Sequence, residues 1–457
     1  MRNKEITQRK TKILATLGPS SNTIKKIIEL SKAGANAFRL NCSHLNEQGL
    51  KDYVKKIRRA EKILNKPIGI LVDLQGPKIR IGKVKDGENI LKKDSIFLLD
   101  LKKEIGNYKR VTLPHKKIFS SAKNGHLILL DDGKIHLKVT SVKANEIRTK
   151  VLQGGLLKSN KGVNLPQTNI RTSALSSIDK KFASIAVQEG VDWIALSFVQ
   201  KPNDIKELRK ICLNKVSIMA KIEKPTALDY INEIADLADG IMIARGDLGV
   251  ELPIESVPGW QKKIIRVARV KGRPVVVSTQ MLESMTSSLT PTRAEVSDVA
   301  NAVFEGADAI MLSAESASGD YPVETVKMMN KIAINIEKDS NYNDILSSQL
   351  EDTPDTTPDA IAVAAKTLAD ELSAPIIVCY TESGSTGIKV SRVRPSQTIL
   401  TITPVVQTAR KLSLAWGVLC FLQKDENDLE HMIQLTKKTV KKSGLALIGD
   451  KVVITAG

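Results

Sequence analysis

Short runs of β-branched and aliphatic residues alternate along the chain with longer segments in which apolar residues recur every three or four positions. The short runs predict eight strands, at residues 12–18, 36–43, 68–74, 193–198, 217–223, 240–247, 274–280 and 309–316. The longer segments predict the helices that separate them, at residues 22–33, 46–64, 178–189, 203–213, 226–236, 255–271, 292–305 and from about 322. Eight strand–helix units in succession predict a closed (β/α)₈ TIM barrel rather than an open sheet.

The alternation stops between the third strand and the helix at 178. Residues 76–170 carry short apolar runs separated by turn sequences, which include KDGEN, LLDDGK, KANE and a GG pair. This pattern predicts a small all-β domain inserted in the loop after the third strand. Residues 1–75 and 171–345 form the predicted barrel domain.

A polar stretch with two prolines, SSQLEDTPDTTPDA, follows the barrel and predicts a linker. The alternation then resumes, with helices at 359–372, 386–393 and 406–414 around the strands APIIVCY and TILTITP. We therefore expect residues 346–457 to form a C-terminal α/β domain.

Composition narrows the class of protein. At 457 residues the chain is too long for one core. No run approaches the roughly 18 apolar residues of a membrane span, and no signal peptide is evident, so we expect a soluble, cytoplasmic protein without a membrane partner. The four cysteines are scattered, in neither CxxC nor zinc spacing, which favours reduced thiols.

The net charge is strongly positive, at +19 from 69 Lys+Arg against 50 Asp+Glu. A basic proteome or simple solubility accounts for this charge, and so does attraction of anionic small molecules or nucleic acid. There is no zinc finger, basic helix or basic segment interleaved with aromatic residues. We therefore expect no nucleic-acid partner, and the charge by itself decides nothing further.

The polar residues fall where the predicted strands end. The carboxyl ends of barrel strands form the active-site face. The side chains predicted there are Thr16, Arg39, Asn41, Ser43, Asp73, Ser197, Lys221, Glu223, Arg245, Asp247, Thr279, Gln280, Ser313 and Glu315. Solvent exposure of strand ends explains one or two polar residues, but not two carboxylates, a lysine and an arginine at one mouth.

These residue types predict a magnesium site for a phosphorylated acid. Glu223 and Asp247 offer hard oxygen ligands from neighbouring strands. Lys221 lies two residues before Glu223, so both side chains point to one face of the strand, where the ammonium suits a phosphoryl group or an enolate. Arg39 offers a bidentate fork for phosphate. For Lys221 and Glu223 alone, a buried ion pair is an equal alternative.

Several long motifs in this sequence resemble the pyruvate kinase family. They are FRLNCSH (38–44), DLQGPKIR (73–80), KGVNLP (161–166), AKIE (220–223), IARGDLGVELP (243–253), STQMLESM (278–285), PTRAEVSDVANAVFEGADAIMLSAES (291–316) and GDYP (319–322). The resemblance runs from about residue 10 to the end. It implies phosphate transfer from phosphoenolpyruvate to ADP, giving pyruvate and ATP with Mg²⁺, or with Mn²⁺ in its place.

The resemblance also implies roles for the residues at the barrel mouth. Arg39 and Lys221 would hold the transferring phosphoryl group, and Lys221 would stabilise the enolate. Glu223 and Asp247 would bind the divalent ion. The substrate carboxylate would lie against the backbone at Gly246 and Asp247 and against Thr279. The enolate would be protonated along a route lined by Thr279, Ser313 and Glu315.

Further residues are implied to contact the nucleotide under the inserted domain, which would act as a lid. They are Asn41, His44, Arg80 and Lys161. There is no GxxxxGK[ST] phosphate loop and no GxGxxG motif before a helix. We expect Lys221→Met to abolish turnover and to leave the fold intact, because a side chain at the surface of the mouth carries little packing.

One departure from the family concerns its potassium pocket. Many relatives have Glu at the position of Lys78 and Thr at the position of Leu74, and the Glu helps bind K⁺ beside residues matching Asn41, Ser43 and Asp73. A tethered ammonium can replace the ion, whereas Glu without K⁺ would repel the substrate phosphate. We therefore expect activity without K⁺. The alternative is that Lys78 points to solvent.

The second departure lies at VVITAG (452–457), which stops short of the closing loop and strand usual in the family. Activation by fructose 1,6-bisphosphate is therefore not expected. The loop TESGSTG precedes a helix and predicts a phosphate site for a sugar monophosphate or nucleotide effector, formed by Thr381, Ser383, Gly384, Ser385 and Thr386. A plain left-handed turn is an equal alternative.

Two other functions compete with this interpretation. A Mg²⁺-dependent phosphoenolpyruvate or pyruvate lyase or mutase would share the carboxylates and arginine but would not need the inserted domain. A catalytically inactive regulatory or RNA-binding protein is disfavoured because Lys221, Glu223 and Asp247 are all present. The family suggests a homotetramer, by analogy alone.

Overall fold

The computed structural model describes residues 9–168, 173–348, 356–424 and 428–456. The chain begins with two strand–helix units and a third strand, namely β1 (Lys12–Thr16), α1 (Ile24–Ala33), β2 (Ala37–Asn41), α2 (Glu47–Leu64) and β3 (Gly69–Asp73). Both helices start at a polar cap: the Thr23 side chain accepts a hydrogen bond from Lys26 N, and the Asn46 side chain accepts one from Gly49 N. Such caps satisfy backbone donors that a helix leaves free at its start.

The chain then forms the lid region, which we define as residues 76–168. Its elements are β4 (Glu88–Leu91), β5 (Ile96–Asp100), β6 (Arg110–Thr112), α3 (Lys116–Ser121), β7 (Leu127–Leu130), β8 (Ile135–Lys143), β9 (Glu146–Gln153), β10 (Gly155–Lys158) and β11 (Val163–Asn164). Six strands form one sheet in the order β11-β7-β8-β9-β5-β6, and β10 pairs with β4. The expectation of β structure only missed α3, whose Ile118 and Phe119 are buried in the core of the lid region.

The barrel continues after the lid region. Its further elements are α4 (Ser177–Gln188), β12 (Trp193–Leu196), α5 (Pro202–Cys212), β13 (Ser217–Ile222), α6 (Pro225–Asp229), α7 (Ile231–Leu237), β14 (Gly240–Ala244), α8 (Arg245–Glu251), α9 (Val257–Val270), β15 (Val275–Ser278), α10 (Arg293–Phe304), β16 (Ala309–Leu312), α11 (Ala314–Ala317), α12 (Pro322–Glu337) and α13 (Tyr342–Ser348). Eight parallel strands close in the order β1-β16-β15-β14-β13-β12-β3-β2. The predicted (β/α)₈ barrel is confirmed.

Several predicted bounds were wrong. The strands predicted to end at 247 and 316 end at Ala244 and Leu312, because the chain turns into the short helices α8 and α11 as soon as it leaves the barrel wall. The helix predicted at 226–236 is two helices, α6 and α7, that meet at Tyr230. The first correction matters for function, since it places residues 246 and 247 in a helical turn rather than on a strand.

The inside of the barrel is filled by large apolar side chains. Trp193, Met219 and Met242 are fully buried there and pack with Leu414 from the C-terminal region. The indole Nε1 of Trp193 donates to Lys411 O at 3.2 Å. The C-terminal region therefore packs against the amino ends of the strands, which we call the barrel bottom.

The C-terminal region is an α/β unit with a parallel sheet. Its elements are α14 (Thr357–Glu371), β17 (Ile376–Tyr380), α15 (Ser385–Arg392), β18 (Thr398–Thr403), α16 (Val406–Lys411), β19 (Val418–Leu422), α17 (Leu429–Ser443) and β20 (Val453–Ala456). The strand order is β19-β18-β17-β20. The predicted α/β class is confirmed, although β19, α17 and β20 were not predicted.

Some expectations fall outside the described residues. Most of the predicted linker, at residues 349–355, and the predicted domain boundary between residues 170 and 171 lie there. The exact domain limits therefore stay predictions. Within the described ranges, no helix combines the length and the apolar character that crossing a membrane requires.

Candidate active site

A buried cluster of charges lies at the mouth, around Lys221 near the end of β13. Its Nζ lies 2.8 Å from Glu223 Oε1 and 3.2 Å from Asp73 Oδ1, and it donates to Ser197 Oγ at 2.7 Å. Lys221 is 8% exposed, and Glu223 and Asp73 are 1% exposed. Lys221 and Glu223, which period-two spacing assigned to one face of the strand, thus make direct contact. The second carboxylate, Asp73, comes from β3.

Arg39 extends this cluster to the strands β1 and β2. Its Nε and Nη2 both lie 2.7 Å from Asp73 Oδ2, and its Nη1 donates to Thr16 Oγ1 at 3.1 Å. The Thr16 hydroxyl in turn donates to Leu312 O at 2.7 Å. Asp73 therefore joins Arg39 and Lys221, and two cations are held side by side with one carboxylate between them.

The electrostatics of the cluster keep Lys221 charged. Burial alone would raise the pKa of Asp73, but Lys221 and Arg39 outweigh it and hold that pKa below its ordinary value. Burial would lower the pKa of Lys221, but Asp73 and Glu223 outweigh it and raise that pKa. Lys221 is therefore an ammonium at every physiological pH, as a group that stabilises an anion must be.

This burial changes one expectation. Lys221 was treated as a side chain at the surface of the mouth, whereas it is enclosed between Asp73 and Glu223. Replacing it by Met leaves buried carboxylates without their cation, which costs several kcal/mol when one partner of a buried pair is removed. We therefore expect Lys221→Met to lower stability as well as activity.

Glu223 and Asp247 form the candidate metal site. Burial raises the pKa of Glu223, Lys221 lowers it, and the like charge of Asp247 raises it further, with a net rise. Glu223 Oε2 accepts a hydrogen bond from Phe198 N at 2.7 Å, while Asp247 lies half-buried in the first turn of α8. Among the described residues there is no cluster of three or more His, Cys, Asp or Glu suited to a metal. Two carboxylates, with substrate and water completing the shell, fit Mg²⁺.

The segment after β15 packs tightly on the first turn of α8. A Cβ at Gly246 would lie 2.7 Å from Thr279 Cγ2, so only glycine fits at this position without a shift. Thr279 itself has a φ of 77°, a left-handed conformation that costs energy in a β-branched residue. The structure thus brings Gly246, Asp247 and Thr279 together, as their implied shared contact with a carboxylate requires.

Glu315 differs from the other predicted side chains at the mouth. It is fully buried, and its oxygens accept hydrogen bonds from Ser313 N at 2.7 Å and Leu282 N at 3.3 Å. Burial raises its pKa. The carboxylate therefore holds the backbone of the loops after β15 and β16, and the predicted role of Ser313 and Glu315 in proton transfer stays a prediction.

Arg245, at the end of β14, does not join the mouth cluster. Its Nη1 lies 2.5 Å from Asp298 Oδ1, and its Nη2 donates to Thr279 O at 2.7 Å. The arginine thus positions the backbone at 279. The side chains of Arg39 and Lys221 remain the cations of the cluster.

A cavity of about 220 Å³ lies between the lid region and the barrel. The lid region contributes residues 163–168, and the barrel contributes Phe198, Lys224, Asp247 and Glu251 among others. The candidate metal ligand Asp247 therefore faces the cleft that the lid region covers.

The predicted nucleotide residues are spread around this cleft. In the lid region, Arg80 Nη1 donates to Asn160 O at 2.9 Å, and Lys161 Nζ lies 2.7 Å from Asp131 Oδ1. On the barrel, Asn41 Oδ1 accepts from Ser43 N at 3.1 Å in the turn Cys42–His44, at the end of which His44 is exposed. Their contacts with a nucleotide stay predictions.

The residues matching the potassium pocket are divided between the core and the cleft. Leu74 is buried at 1% exposure, and Asp73 is occupied by Arg39 and Lys221. Lys78 is exposed, as in the alternative of a solvent-facing side chain, but it also lines the cavity beside Gly162 of the lid region. The ammonium is thus on the cavity side of the cluster rather than inside it.

The predicted effector loop lies in the C-terminal region, before α15. Thr381 Oγ1 accepts a hydrogen bond from Gly384 N at 3.0 Å, and Ser383 Oγ accepts one from Ser385 N at 3.3 Å. Gly384 has a φ of 91°. This positive φ means that the predicted left-handed turn exists. Ser383 and Ser385 are exposed and Thr386 is partly exposed, so the backbone of the loop is accessible.

Three functional contacts were missed at the level of sequence. Ser197 was seen as a strand-end residue but not as the acceptor for Lys221. Phe198, with a φ of 55°, turns its N–H towards Glu223. Glu251, inside the motif IARGDLGVELP, binds Lys224 of the barrel and Asn164 of the lid region. Only the motif itself could have pointed to Glu251.

The fold defines the class: a (β/α)₈-barrel enzyme, with the side chains that carry chemistry at the carboxyl ends of its strands. Comparison with known proteins gives the family. The family model described as "Pyruvate kinase, barrel domain" matches residues 8–326, and "Pyruvate kinase, alpha/beta domain" matches residues 359–457. The chain belongs to the pyruvate kinase family.

Individual relatives agree with this assignment. The chain is 48% identical over 449 residues to a pyruvate kinase of Methylorubrum extorquens, with 98% of this chain and 94% of the relative covered. It is 45% identical over 450 residues to a pyruvate kinase of Agrobacterium vitis, with 98% and 95% covered. A crystal structure of a pyruvate kinase from Cryptosporidium parvum superposes with a TM-score of 0.95 at 33% identity, covering 100% of this chain and 95% of that chain. The lyase or mutase alternative is not favoured.

Proposed function

We propose that this chain transfers the phosphoryl group of phosphoenolpyruvate to ADP in a Mg²⁺-dependent reaction, giving pyruvate and ATP in cytoplasmic glycolysis. The observation that carries the proposal is the position of Lys221 Nζ, 2.8 Å from Glu223 and 3.2 Å from Asp73. A fixed ammonium beside a metal carboxylate stabilises negative charge that develops on a phosphoryl oxygen or on the enolate.

Each side chain of the cluster then has a task. Arg39 and Lys221 orient the phosphoryl group and neutralise its charge, with Asp73 holding both cations in place. Glu223 and Asp247 would hold the divalent ion, Mg²⁺ or Mn²⁺, which would supply further positive charge to the phosphoryl oxygens when bound. The backbone at 246–247 and Thr279 bind the substrate carboxylate, while Thr279, Ser313 and Glu315 line the route of the proton to the enolate.

The nucleotide binds in the cleft below the lid region. We propose a barrel domain of residues 1–75 and 171–345, an inserted domain of residues 76–170 and a C-terminal regulatory domain of residues 346–457. The 220 Å³ cavity between lid region and barrel supports this arrangement, because it adjoins Asp247. The residues that reach the nucleotide are Asn41, His44, Arg80 and Lys161.

A coupled assay with lactate dehydrogenase tests the reaction. With phosphoenolpyruvate, ADP and Mg²⁺, NADH oxidation should require all three components, and removal of Mg²⁺ by EDTA should abolish it. A lyase or mutase would act on phosphoenolpyruvate or pyruvate without ADP. Pyruvate formation that does not depend on ADP would contradict the proposal.

We further propose that the reaction does not require K⁺. Lys78 lines the cavity that Asp247 also lines, so its ammonium can supply the positive charge that the ion supplies in relatives with Glu at this position. Activity in tetramethylammonium buffer should equal that in K⁺ buffer, and Lys78→Glu should become K⁺-dependent. A many-fold stimulation of the wild type by K⁺ would contradict this.

The C-terminal loop supports a further proposal, a site for a sugar monophosphate or nucleotide effector at residues 381–386 of a homotetramer. The accessible backbone after Gly384 suits a phosphate. Steady-state kinetics with a panel of such effectors would test it, with Ser383→Ala as the altered variant. The absence of any response in either protein would remove it.

A further inference from the structure

One side-chain network between the lid region and the barrel consists of Asn164, Lys224 and Glu251, and we call it the Glu251 bridge. Asn164, in strand β11, donates through Nδ2 to Glu251 Oε1 at 2.8 Å. Lys224 Nζ lies 2.5 Å from the same oxygen. Glu251 is only 5% exposed, so its charge is compensated by these two partners rather than by water.

Both barrel residues of the bridge are tied to the candidate metal carboxylates. Helix α8 contains Asp247 in its first turn and ends at Glu251, so one rigid turn joins the two. Lys224 directly follows Glu223 in the chain, and its ammonium lies 5.7 Å from the centre of the Phe198 ring. The backbone N–H of Phe198 donates to Glu223 Oε2. The bridge therefore adjoins both carboxylates without supplying a ligand.

The pairing of Lys224 with Glu251 matters because Lys224 carries a positive charge next to the candidate metal site. Lys224, Asp247 and Glu251 line the same cavity. Without Glu251, the ammonium of Lys224 would share that cavity with the carboxylate of Asp247 and would directly follow Glu223 in the chain, and a cation bound at a metal carboxylate competes with a metal ion. In the bridge, Glu251 keeps Lys224 paired away from them.

We propose that Glu251 is a positioning residue with two effects: it keeps Lys224 off the metal carboxylates, and it docks the lid region through Asn164 over the site so prepared. This inference rests on the proposed metal site. Metal affinity and lid position are then linked through the carboxylate of Glu251. A substitution that breaks the contact with Lys224 and one that breaks the contact with Asn164 should therefore change different measured quantities.

The metal side is tested by Mn²⁺ binding to the enzyme without substrates, measured from the EPR signal of free Mn²⁺. Glu251→Gln should weaken binding about tenfold, the size of coupling usual between contacting charged groups. In a Lys224→Met background, the same change should have less than a twofold effect, because the competing ammonium is gone. Asp236→Asn, which breaks a pair with Lys271 on the outer helices, is the control and should leave Mn²⁺ affinity unchanged.

The lid side is tested by Asn164→Leu. This variant should bind Mn²⁺ like the wild type, but it should raise the KM for ADP about fivefold and speed hydrogen exchange of the amides around Val163. A substitution that merely disturbed the local structure would change both the Mn²⁺ affinity and the amide hydrogen exchange. Should Glu251→Gln fail to fold, Glu251→Asp replaces it, with a smaller loss of the same sign expected.

The outcomes separate this inference from the proposed function. Wild-type protein that binds no Mn²⁺, or whose binding survives Glu223→Gln and Asp247→Asn, would overturn the metal site itself. Wild-type binding that depends on those carboxylates but is unchanged by Glu251→Gln or Glu251→Asp would overturn the bridge alone. An equal loss with and without Lys224 would also overturn it.

Discussion

The two ends of one barrel use buried charges in opposite ways. At the bottom, Lys12 Nζ donates to Val418 O at 2.8 Å, and Asp308 pairs with Arg394 at 3.0 Å, so each charge binds the C-terminal region. At the mouth, Lys221 binds carboxylates of the barrel itself, next to a cavity. Bottom charges join two regions of the chain, whereas mouth charges pair with one another beside a cavity.

The comparison shows that the burial of a charged side chain does not by itself identify its function. Lys12 and Lys221 are 2% and 8% exposed. Burial, together with Arg9, lowers the pKa of Lys12 to about 7, whereas Asp73 and Glu223 raise that of Lys221. The partners, rather than the burial, make one lysine a permanent cation.

The largest expected effect is on turnover at the mouth. Lys221→Met should lower kcat at least about 10³-fold, because the charge that stabilises the developing anion is lost. Its stability should also fall, since Asp73 and Glu223 lose their cation. The matched control is Lys12→Met at the bottom, which should retain kcat within about twofold. Comparable losses in both variants would break the distinction between the two ends.

A milder change at the mouth keeps the positive charge at position 39 but removes the planar guanidinium group. Arg39→Lys should lower kcat/KM for phosphoenolpyruvate about 10²-fold, because a lysine cannot bind Asp73 and Thr16 together while presenting a fork to phosphate. Steady-state kinetics at fixed ADP would measure this loss. An unchanged kcat/KM would show that charge alone suffices at this position.

At the bottom, the expected effect is on stability. Trp193→Ala should lower the free energy of unfolding by about 3–5 kcal/mol, because it empties a fully buried site inside the barrel. The kcat per folded molecule should change little. Urea unfolding followed by circular dichroism would measure the loss, and active-site titration would normalise kcat. A large fall in kcat per folded molecule would mean that the two ends are coupled.

The smallest expected effect is the pH dependence contributed by Lys12. Its folded-state pKa, about 7, lies below the ordinary value, so between pH 7 and about 10 the unfolded state binds more protons. Stability should then rise with pH in this window, by up to about 1.4 kcal/mol per unit from this one group, and the gain is lost as pH falls through 7. The charged or titratable groups that influence it are Arg9, Lys66, Cys420 and Glu337.

Urea midpoints of the wild type and of Lys12→Met at pH 7, 8 and 9 would isolate this contribution. The wild type should gain stability relative to the variant as the pH rises. Parallel curves would show that Lys12 is not the titrating group. Lys25→Met, which replaces an exposed lysine of α1, serves as the control and should not remove the slope.

Much of the site was predictable because residues at strand ends converge by topology alone. Lys221 and Glu223 share a face by period-two spacing, and β2 and β3 had to bring Arg39 and Asp73 to the same mouth. The bounds of β14 and β16 were mispredicted because the residues after Ala244 and Leu312 were counted with the apolar runs before them, whereas the chain turns into helices there, where the barrel wall ends. The Glu251 bridge joins residues far apart in sequence, and no local pattern marks it.

The sequence by itself determined the eight-fold alternation, the inserted β segment, the family motifs and the residue types at the mouth, because these follow from local periodicity and chain order. Tertiary structure alone decided which cation pairs with which carboxylate, that Arg245 turns to Asp298, and that Glu251 accepts from both lid and barrel. The physical reason is that an ion pair depends on three-dimensional distance and burial. Two lysines of barrel strands, Lys12 and Lys221, therefore acquire different partners and opposite shifts of their pKa.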